Sequence, residues 1–215
     1  MKRILNTFIA TTVIFCSTIL SVPANAQPIL AAIVTADLPR YQKVYDAMAK
    51  VLQAGGFSDD KLKLFKQTPN ADKMSLTNSL RRAEASGATL IVTYGSHATF
   101  VAKGITNDTP LLFADVYDPV ALGIVKTLAA PGTDASGATS KTNLDTLVDA
   151  LIAIKPLKTV GVLYTKGEKG SEEQLDEIKK KGKDFGFKVV AENARNPKEA
   201  KELGNKLTGK TKHYT

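Results

Sequence analysis

The chain repeats one unit: a short and almost uninterrupted apolar run, a polar or glycine turn, and a stretch with apolar residues at helical spacing. Such runs suit strands buried on both faces, and their alternation with helices is typical of a parallel sheet covered by helices. We therefore predict an α/β fold. Strands are predicted over residues 29–35, 61–67 (an edge strand), 89–94, 110–116, 159–164 and 187–191, and helices over 41–52, 71–85, 96–103, 118–128, 144–152, 171–185 and 197–207.

The first residues are typical of a secretory signal. Lys2 and Arg3 precede an apolar stretch over residues 4–22, Pro23 ends that stretch, and Ala24-Asn25-Ala26 fits a signal-peptidase site. We expect cleavage after Ala26 and a mature chain in the periplasm that is not embedded in the membrane. The alternative is an uncleaved membrane anchor.

Cysteine and charge narrow the class of protein. Cys16 is the only cysteine, so the chain from Gln27 must be held together by its core rather than by disulfides. Of the formal charge of +8, Lys2 and Arg3 supply two charges, and the remaining +6 lies late in the chain, where residues 155–215 carry 15 basic and nine acidic residues. No aromatic residue interrupts the densest run, over residues 179–183, which is typical of a solvated helix face, so no nucleic-acid partner is predicted.

A small and polar stretch over residues 131–141 divides the repeating units. Pro131-Gly132 opens it, and no helical or strand periodicity follows, which favours a hinge or domain crossing. We predict a signal peptide over residues 1–26, a first Rossmann-like lobe over residues 27–140 and a second over residues 141–215.

Polar residues follow the predicted strands, and ligands of open parallel sheets bind beyond the strands' carboxyl ends. Ser96, Asp118 and Ser171 each stand where a helix should begin, and each is predicted to cap that helix. Helix starts offer free N–H groups to a carboxylate, and an aspartate there could receive an ammonium group, so a zwitterion such as an amino acid would suit the site. Tyr94, Tyr117 and Tyr164 end three strands, which is common for half-buried tyrosine but could also provide a stacking surface.

Catalytic and metal-binding patterns are lacking in the sequence. The two histidines are His97 and His213, and "GSH" around Ser96 is not a nucleophile elbow. Neither dinucleotide-binding nor P-loop glycine patterns occur. We predict no enzyme activity, no metal and no cofactor. A small hydrolase that uses Ser96 is the catalytic alternative.

Three segments together resemble a known family: "PLLFADVYDPVALGIVKTLAAPG", then "SGATS", then "TVGVLYTKGEKGS". They are similar to ABC-importer solute-binding proteins of the branch with tryptophan- and tyrosine-binding members, which carry D-P-V-x-x-G-L-V and G-V-x-Y-N-P-G-E-x-N-S. The resemblance implies two lobes of the type I periplasmic-binding-protein kind, a small ligand between them, a membrane permease as partner and a monomeric binding protein. It places Ser96 and Asp118 in the first lobe's half of the site and Glu168 and Ser171 in the second's. With Tyr94 and Tyr117 these are the predicted ligand residues.

The chain departs from that pattern in two ways. Thr165, Lys166 and Gly170 stand where the family has Asn, Pro and Asn. Family members also continue well beyond "GKTKHYT", so we expect a C-terminally truncated chain with an incomplete second lobe that binds amino acids weakly or not at all. The alternatives to an importer component are a periplasmic sensing module that feeds a signalling receptor and a non-functional fragment of a binding protein.

Overall fold

The structure is a computed structural model that describes residues 27–35, 39–106 and 108–212. The predicted signal peptide and His213 lie outside these residues. The elements, in chain order, are β1 (Ile29–Ile33), α1 (Pro39–Ala54), β2 (Lys63–Gln67), α2 (Lys73–Ala85), β3 (Leu90–Tyr94), α3 (Ser96–Lys103), β4 (Leu111–Val116), β5 (Ala135–Thr139), α4 (Leu144–Ile154), β6 (Thr159–Tyr164), α5 (Lys169–Phe185), β7 (Lys188–Asn193) and α6 (Pro197–Lys212).

The strands form two parallel sheets, so the predicted α/β class is confirmed. The first sheet has the order β2-β1-β3-β4-β5, with Ile33 beside both Gln67 and Thr93. The second pairs β6 with β7, and Thr159 lies beside Lys188. Strand β2 lies at an edge, as its alternating sequence predicts. We call β1–β5 with α1–α3 the first lobe, and β6, β7 and α4–α6 the second; the boundary at residue 140 stays a prediction.

The larger core surrounds the first sheet. Successive residues along β1 point to opposite faces, so Ile33 packs with Leu76 and Leu80 of α2 on one face. Ala32, and Val34 directly after the strand, pack with Tyr41 and Tyr94 on the other face. The second lobe is less well covered. Residues of β6 and β7 are mostly half-buried or exposed, and Ile154 at the end of α4 is 83% exposed.

The helix predicted over residues 118–128 is wrong. A single turn begins at Pro119, and it ends at Gly123, whose φ is +66°. The amide of Ile124 donates to the carbonyl of Pro119 at 2.8 Å, five residues earlier, and this is the six-to-one hydrogen bond of a Schellman motif. Ile124 and Val125 are buried in the core of the first lobe, so their apolar spacing reflects a packed turn rather than a helix face.

A fifth strand occupies almost half of the predicted hinge. Residues 135–139 form β5, which pairs with β4 and is largely exposed after Ala135. Its sequence, ASGAT, has little β-propensity. Small residues are needed there, because a Cβ on Gly137 would lie 2.7 Å from the ring of Phe113. Residues 135–139 are therefore a strand rather than part of a hinge, and the place where the chain crosses between the lobes stays a prediction.

Two further differences concern helix ends. Helix α5 begins at Lys169 rather than at Ser171, and α6 continues to Lys212 rather than ending at Leu207. Within the part of the chain that the structure describes, no helix is long and apolar enough to cross a membrane.

Candidate functional site

A cleft of about 920 Å³ lies between the carboxyl ends of the two sheets. The first lobe contributes the segment after β1, the starts of α1, α2 and α3, and the end of β4. The second lobe contributes the loops from β6 to α5 and from β7 to α6. Five of the six predicted ligand residues line this cleft: Tyr94, Ser96, Tyr117, Glu168 and Ser171. Whether they bind a ligand stays a prediction.

Helix α3 opens into the cleft without a side-chain cap. Its cap residue is Gly95, with φ +88° and ψ +158°, and no side chain accepts a hydrogen bond from the first turn. Ser96 is the first helical residue and does not cap the helix, contrary to prediction. Its Oγ instead accepts a hydrogen bond of 2.9 Å from the amide of Tyr117, which ties α3 to the end of β4. The first amides of α3 are thus available to an anion.

The start of α5 is occupied by the chain's own carboxylate. Glu168 caps the helix by accepting from the amides of Gly170 (3.1 Å) and Ser171. Ser171 was predicted to be this cap, but its Oγ accepts from the amide of Thr165 at 2.9 Å and so closes the β6–α5 loop. A second anion would be repelled here, so the two helix starts that face each other have opposite electrostatic character.

The tyrosines at the strand ends differ in their exposure. Tyr94 is 1% exposed and Tyr117 is 4% exposed, so both present little surface to the cleft, whereas Tyr164 is half-buried. The Tyr117 hydroxyl donates to Glu177 Oε2 at 2.9 Å. Burial and then this carboxylate raise the pKa of Tyr117 far above its usual value, so the hydroxyl remains a donor.

Asp118 does not line the cleft. Its Oδ1 accepts from the amides of Val120 (3.1 Å) and Ala121 (3.0 Å), and its Oδ2 pairs with Lys141. Burial would raise the pKa of Asp118, but the Ala121 amide and Lys141 together hold it below the usual value. The predicted capping contact is therefore present, although it holds a turn rather than a helix, and a ligand role for Asp118 stays a prediction.

An ion pair that the sequence did not predict lines the first lobe's side of the cleft. Arg40, the second residue of α1, places Nε 2.7 Å from Oδ2 of Asp115 at the end of β4. Asp115 is the one non-glycine residue with positive φ (+59°) among the described residues. The Arg40 side chain is 63% exposed, so it keeps donors free for a ligand. Asp115 is the next-to-last residue of β4 and Arg40 lies in the first turn of the helix after β1, so both stand near the carboxyl ends of strands, and that position was the signal that could have identified them.

His97 is the remaining titratable group at the start of α3. It lines the cleft, and its Nδ1 is buried without a hydrogen-bond partner among the described residues. Burial lowers the pKa of His97, although nearby Glu168 opposes the shift. The ring is therefore neutral at pH 7. Across the described ranges, no three His, Cys, Asp or Glu side chains are grouped so that they could hold a metal ion.

Comparison with known proteins gives concordant matches. A curated relative, the tyrosine-binding protein of Clostridioides difficile (strain R20291), is 26% identical over 174 residues, which are 80% of this chain and 50% of that protein. A structure from Streptococcus pneumonia described as the ABC domain in complex with L-Trp superposes with a TM-score of 0.74 at 23% identity, over 86% of this chain and 63% of the other. A ligand-free, open substrate binding protein with adhesive properties from Clostridium difficile gives a TM-score of 0.58 at 28% identity, with the same two coverages.

The chain thus spans half to two thirds of the length of these relatives. The likeness in fold confirms the predicted architecture of the type I periplasmic binding proteins, of which this chain covers a part. The sequence profile described as "ABC transporter substrate binding protein" matches residues 30–214. Since that match covers most of the chain, the protein belongs to the ABC transporter substrate binding protein family.

Proposed function

We propose that the protein is the periplasmic solute-binding component of an ABC importer and that it binds a small amino-acid-like zwitterion in the cleft. The observation that carries this proposal is the pair of facing helix starts, one uncapped in the first lobe and one closed by Glu168 in the second. A carboxylate suits the first and an ammonium group suits the second. The cleft volume lies within the range of small-molecule sites.

The ligand's carboxylate would accept hydrogen bonds from the first amides of α3. The Ser96 hydroxyl could add another, because its oxygen already accepts from Tyr117 and its proton remains to be donated. Arg40 pairs with Asp115 through Nε and would supply positive charge on the first lobe's side of the cleft. The ammonium group would lie toward Glu168, whose negative charge also favours the protonated forms of His97 and Tyr41 nearby in the cleft.

An aromatic side chain on the ligand agrees with both the cleft and the relatives. Tyr41, Tyr94, Tyr117 and Tyr164 all line the cleft; the first three are buried and expose little surface, so half-buried Tyr164 offers a ligand the largest aromatic face. One relative is named for tyrosine and one fold neighbour holds L-Trp. We therefore propose that this chain takes an aromatic amino acid and that Tyr94, Ser96, Tyr117, Glu168 and Ser171 contribute to its site.

A panel of four compounds tests this binding mode. We expect L-tyrosine or L-tryptophan to bind the chain in calorimetry, and tyramine and 3-(4-hydroxyphenyl)propionate to bind at least tenfold more weakly. Each analogue lacks one charged group, and a lost hydrogen bond to a charged group costs about 1.5–3 kcal/mol. Equal affinity for an amino acid and its two analogues would contradict the zwitterion site.

The remaining parts of the proposal concern location and partners. We propose that residues 1–26 are removed, that the lobes span residues 27–140 and 141–215, and that the protein acts as a monomer without a chemical step, delivering ligand to a membrane permease. The intact mass of the periplasmic protein tests the first point, because a chain that begins at Gln27 is expected. Retention of Met1 would contradict export by cleavage.

A further inference from the structure

Asp115 lies at an irregularity near the end of β4. Phe113 pairs with Gly137 of β5. Three residues later Val116 pairs with Thr139, which is only two residues beyond Gly137, so β4 carries one extra residue. Such an extra residue is a β-bulge, and bulges re-aim side chains beside binding and active sites. Asp115 also has φ +59°, a left-handed conformation in which glycine is the usual residue, so the backbone here is strained.

The carboxyl group of Asp115 is available to a ligand. Its side chain is 24% exposed and lines the cleft. Arg40 Nε lies 2.7 Å from Oδ2, but no described residue donates a well-aligned hydrogen bond to this buried oxygen. A carboxylate offers about four lone-pair positions to hydrogen-bond donors. The ion pair with Arg40 therefore leaves Asp115 able to accept hydrogen bonds from a ligand that carries N–H donors.

A second carboxylate, that of Glu168, faces the same part of the cleft from the second lobe. A Cβ built on Gly170 would lie 2.7 Å from the Cβ of Ser96 and 3.3 Å from Oε1 of Glu168, so Glu168 lies beside the start of α3. Asp115 adjoins the same helix start, because the carbonyl of the residue before it accepts from the amide of Gly95 at 2.8 Å.

Tyr41 reports that the two carboxylates are near each other. Burial raises the pKa of the Tyr41 hydroxyl, and the negative charges of Asp115 and Glu168 both add to this shift, whereas Arg40 opposes it. The hydroxyl itself lies against the start of α3, since a Cβ built on Gly95 would overlap it. Two carboxylates from opposite lobes thus face one helix start, and a cationic group between them would contact both.

We propose that Asp115 binds the ligand's ammonium group from the first lobe, together with Glu168 from the second, and so determines specificity for a primary amine. This inference rests on the proposed zwitterion site and adds a residue to it. An ammonium group has three N–H donors, and Glu168 already accepts from two amides of α5, so a second acceptor is needed. Arg40 balances the charge of Asp115, so the ligand's own carboxylate can lie at the nearby start of α3 without net repulsion.

Asp115→Asn tests the inference, because asparagine keeps the size of the side chain and tolerates the left-handed conformation but carries no charge. L-Tyrosine, tyramine and 3-(4-hydroxyphenyl)propionate are titrated into the native and variant proteins, and backbone amide shifts give the dissociation constants. We expect L-tyrosine and tyramine to bind Asp115→Asn at least tenfold more weakly. The propionate has no amino group, so it should bind as well as before or better. A purely structural role of Asp115 would weaken all three alike.

Two further variants separate binding from folding. Asp145 on α4 pairs with Lys181 at 2.5 Å and does not line the cleft, so Asp145→Asn is the matched control and should leave all three dissociation constants unchanged. Asp115→Gly removes the carboxylate and also relieves the strained backbone. It should keep or raise the midpoint of urea unfolding while weakening L-tyrosine as Asp115→Asn does.

The outcomes distinguish this inference from the proposed function. Equal affinity of the native protein for L-tyrosine and the propionate would contradict the zwitterion site and this inference with it. A native preference for L-tyrosine that Asp115→Asn retains would overturn this inference alone. An equal loss for all three compounds in Asp115→Asn, or a clearly lower urea midpoint for Asp115→Gly, would assign Asp115 to the fold and likewise overturn it.

Discussion

Replacing Gly95 by alanine should destabilise the start of α3 far more than an ordinary glycine-to-alanine change. Its φ of +88° and ψ of +158° lie in a region used almost only by glycine, and forcing another residue into it costs about 1–3 kcal/mol. The new Cβ would also overlap the Tyr41 hydroxyl oxygen and lie 2.7 Å from Cζ. Tyr41 is buried beside Tyr94, with ring centres 6.4 Å apart, so its ring has little room to move. Overpacking of this kind costs about 1–3 kcal/mol more.

Urea unfolding followed by circular dichroism measures the sum, for which we expect about 2–6 kcal/mol. Gly87→Ala is the matched control, because Gly87 has φ +74° but a Cβ there would meet no atom within 4 Å. It should cost only about 1–2 kcal/mol, the price of the left-handed conformation. Tyr41→Phe removes the overlapped oxygen, so the double variant with Gly95→Ala should recover about 0.5–3 kcal/mol as a coupling energy. Equal losses for the two glycine variants, with no coupling to Tyr41, would refute this reasoning.

Three further predictions concern single sites and the two sheets. Asp118→Asn should lower the free energy of unfolding by only about 0.2–1 kcal/mol, because asparagine keeps the capping bonds and loses only a partly exposed ion pair. Ligand affinity measured by calorimetry should not change, and a tenfold weaker affinity would make Asp118 a ligand residue. Because burial lowers the pKa of His97 in the folded protein, the imidazole takes up a proton more readily in the unfolded chain as pH falls below about 6.5. The free energy of unfolding should therefore decline from pH 7.5 to pH 5.5, and urea midpoints of His97→Gln should decline less over the same range. Equal declines would show that His97 is not responsible. Hydrogen exchange should be slowest in β1 and β3 and clearly faster in β6 and β7, in keeping with their burial; equal protection would mean that the second lobe is as stable as the first.

The strands with apolar runs were predictable from the sequence, because a buried parallel strand must be apolar on both faces. Strand β5 was not, because it lies at the sheet's edge and needs small residues beside Phe113 rather than large apolar ones. The turn over residues 119–124 has the spacing of a helix, but Gly123 ends it after one turn, and that depends on a single backbone conformation.

The candidate site was predictable where it follows the rule that ligands bind at the carboxyl ends of parallel strands. That rule placed Ser96, Tyr117 and Glu168 beside the cleft. It could not assign their hydrogen bonds, since Ser96 bonds to the end of a neighbouring strand rather than to its own helix. The Arg40–Asp115 pair and the contact of Gly170 with Ser96 join residues that are distant in sequence, and only the folded chain brings them together.

The central claim is that a small zwitterion is held between the starts of α3 and α5. Titration of the isotope-labelled protein with L-tyrosine, followed by backbone amide chemical shifts, tests it most directly and also detects weak binding. The account predicts that the largest shift changes fall on residues 95–98 and 165–171, and that tyramine, which lacks the carboxylate, leaves residues 95–98 nearly unchanged. Shift changes confined to other parts of the chain, or equal changes at residues 95–98 with both compounds, would contradict it.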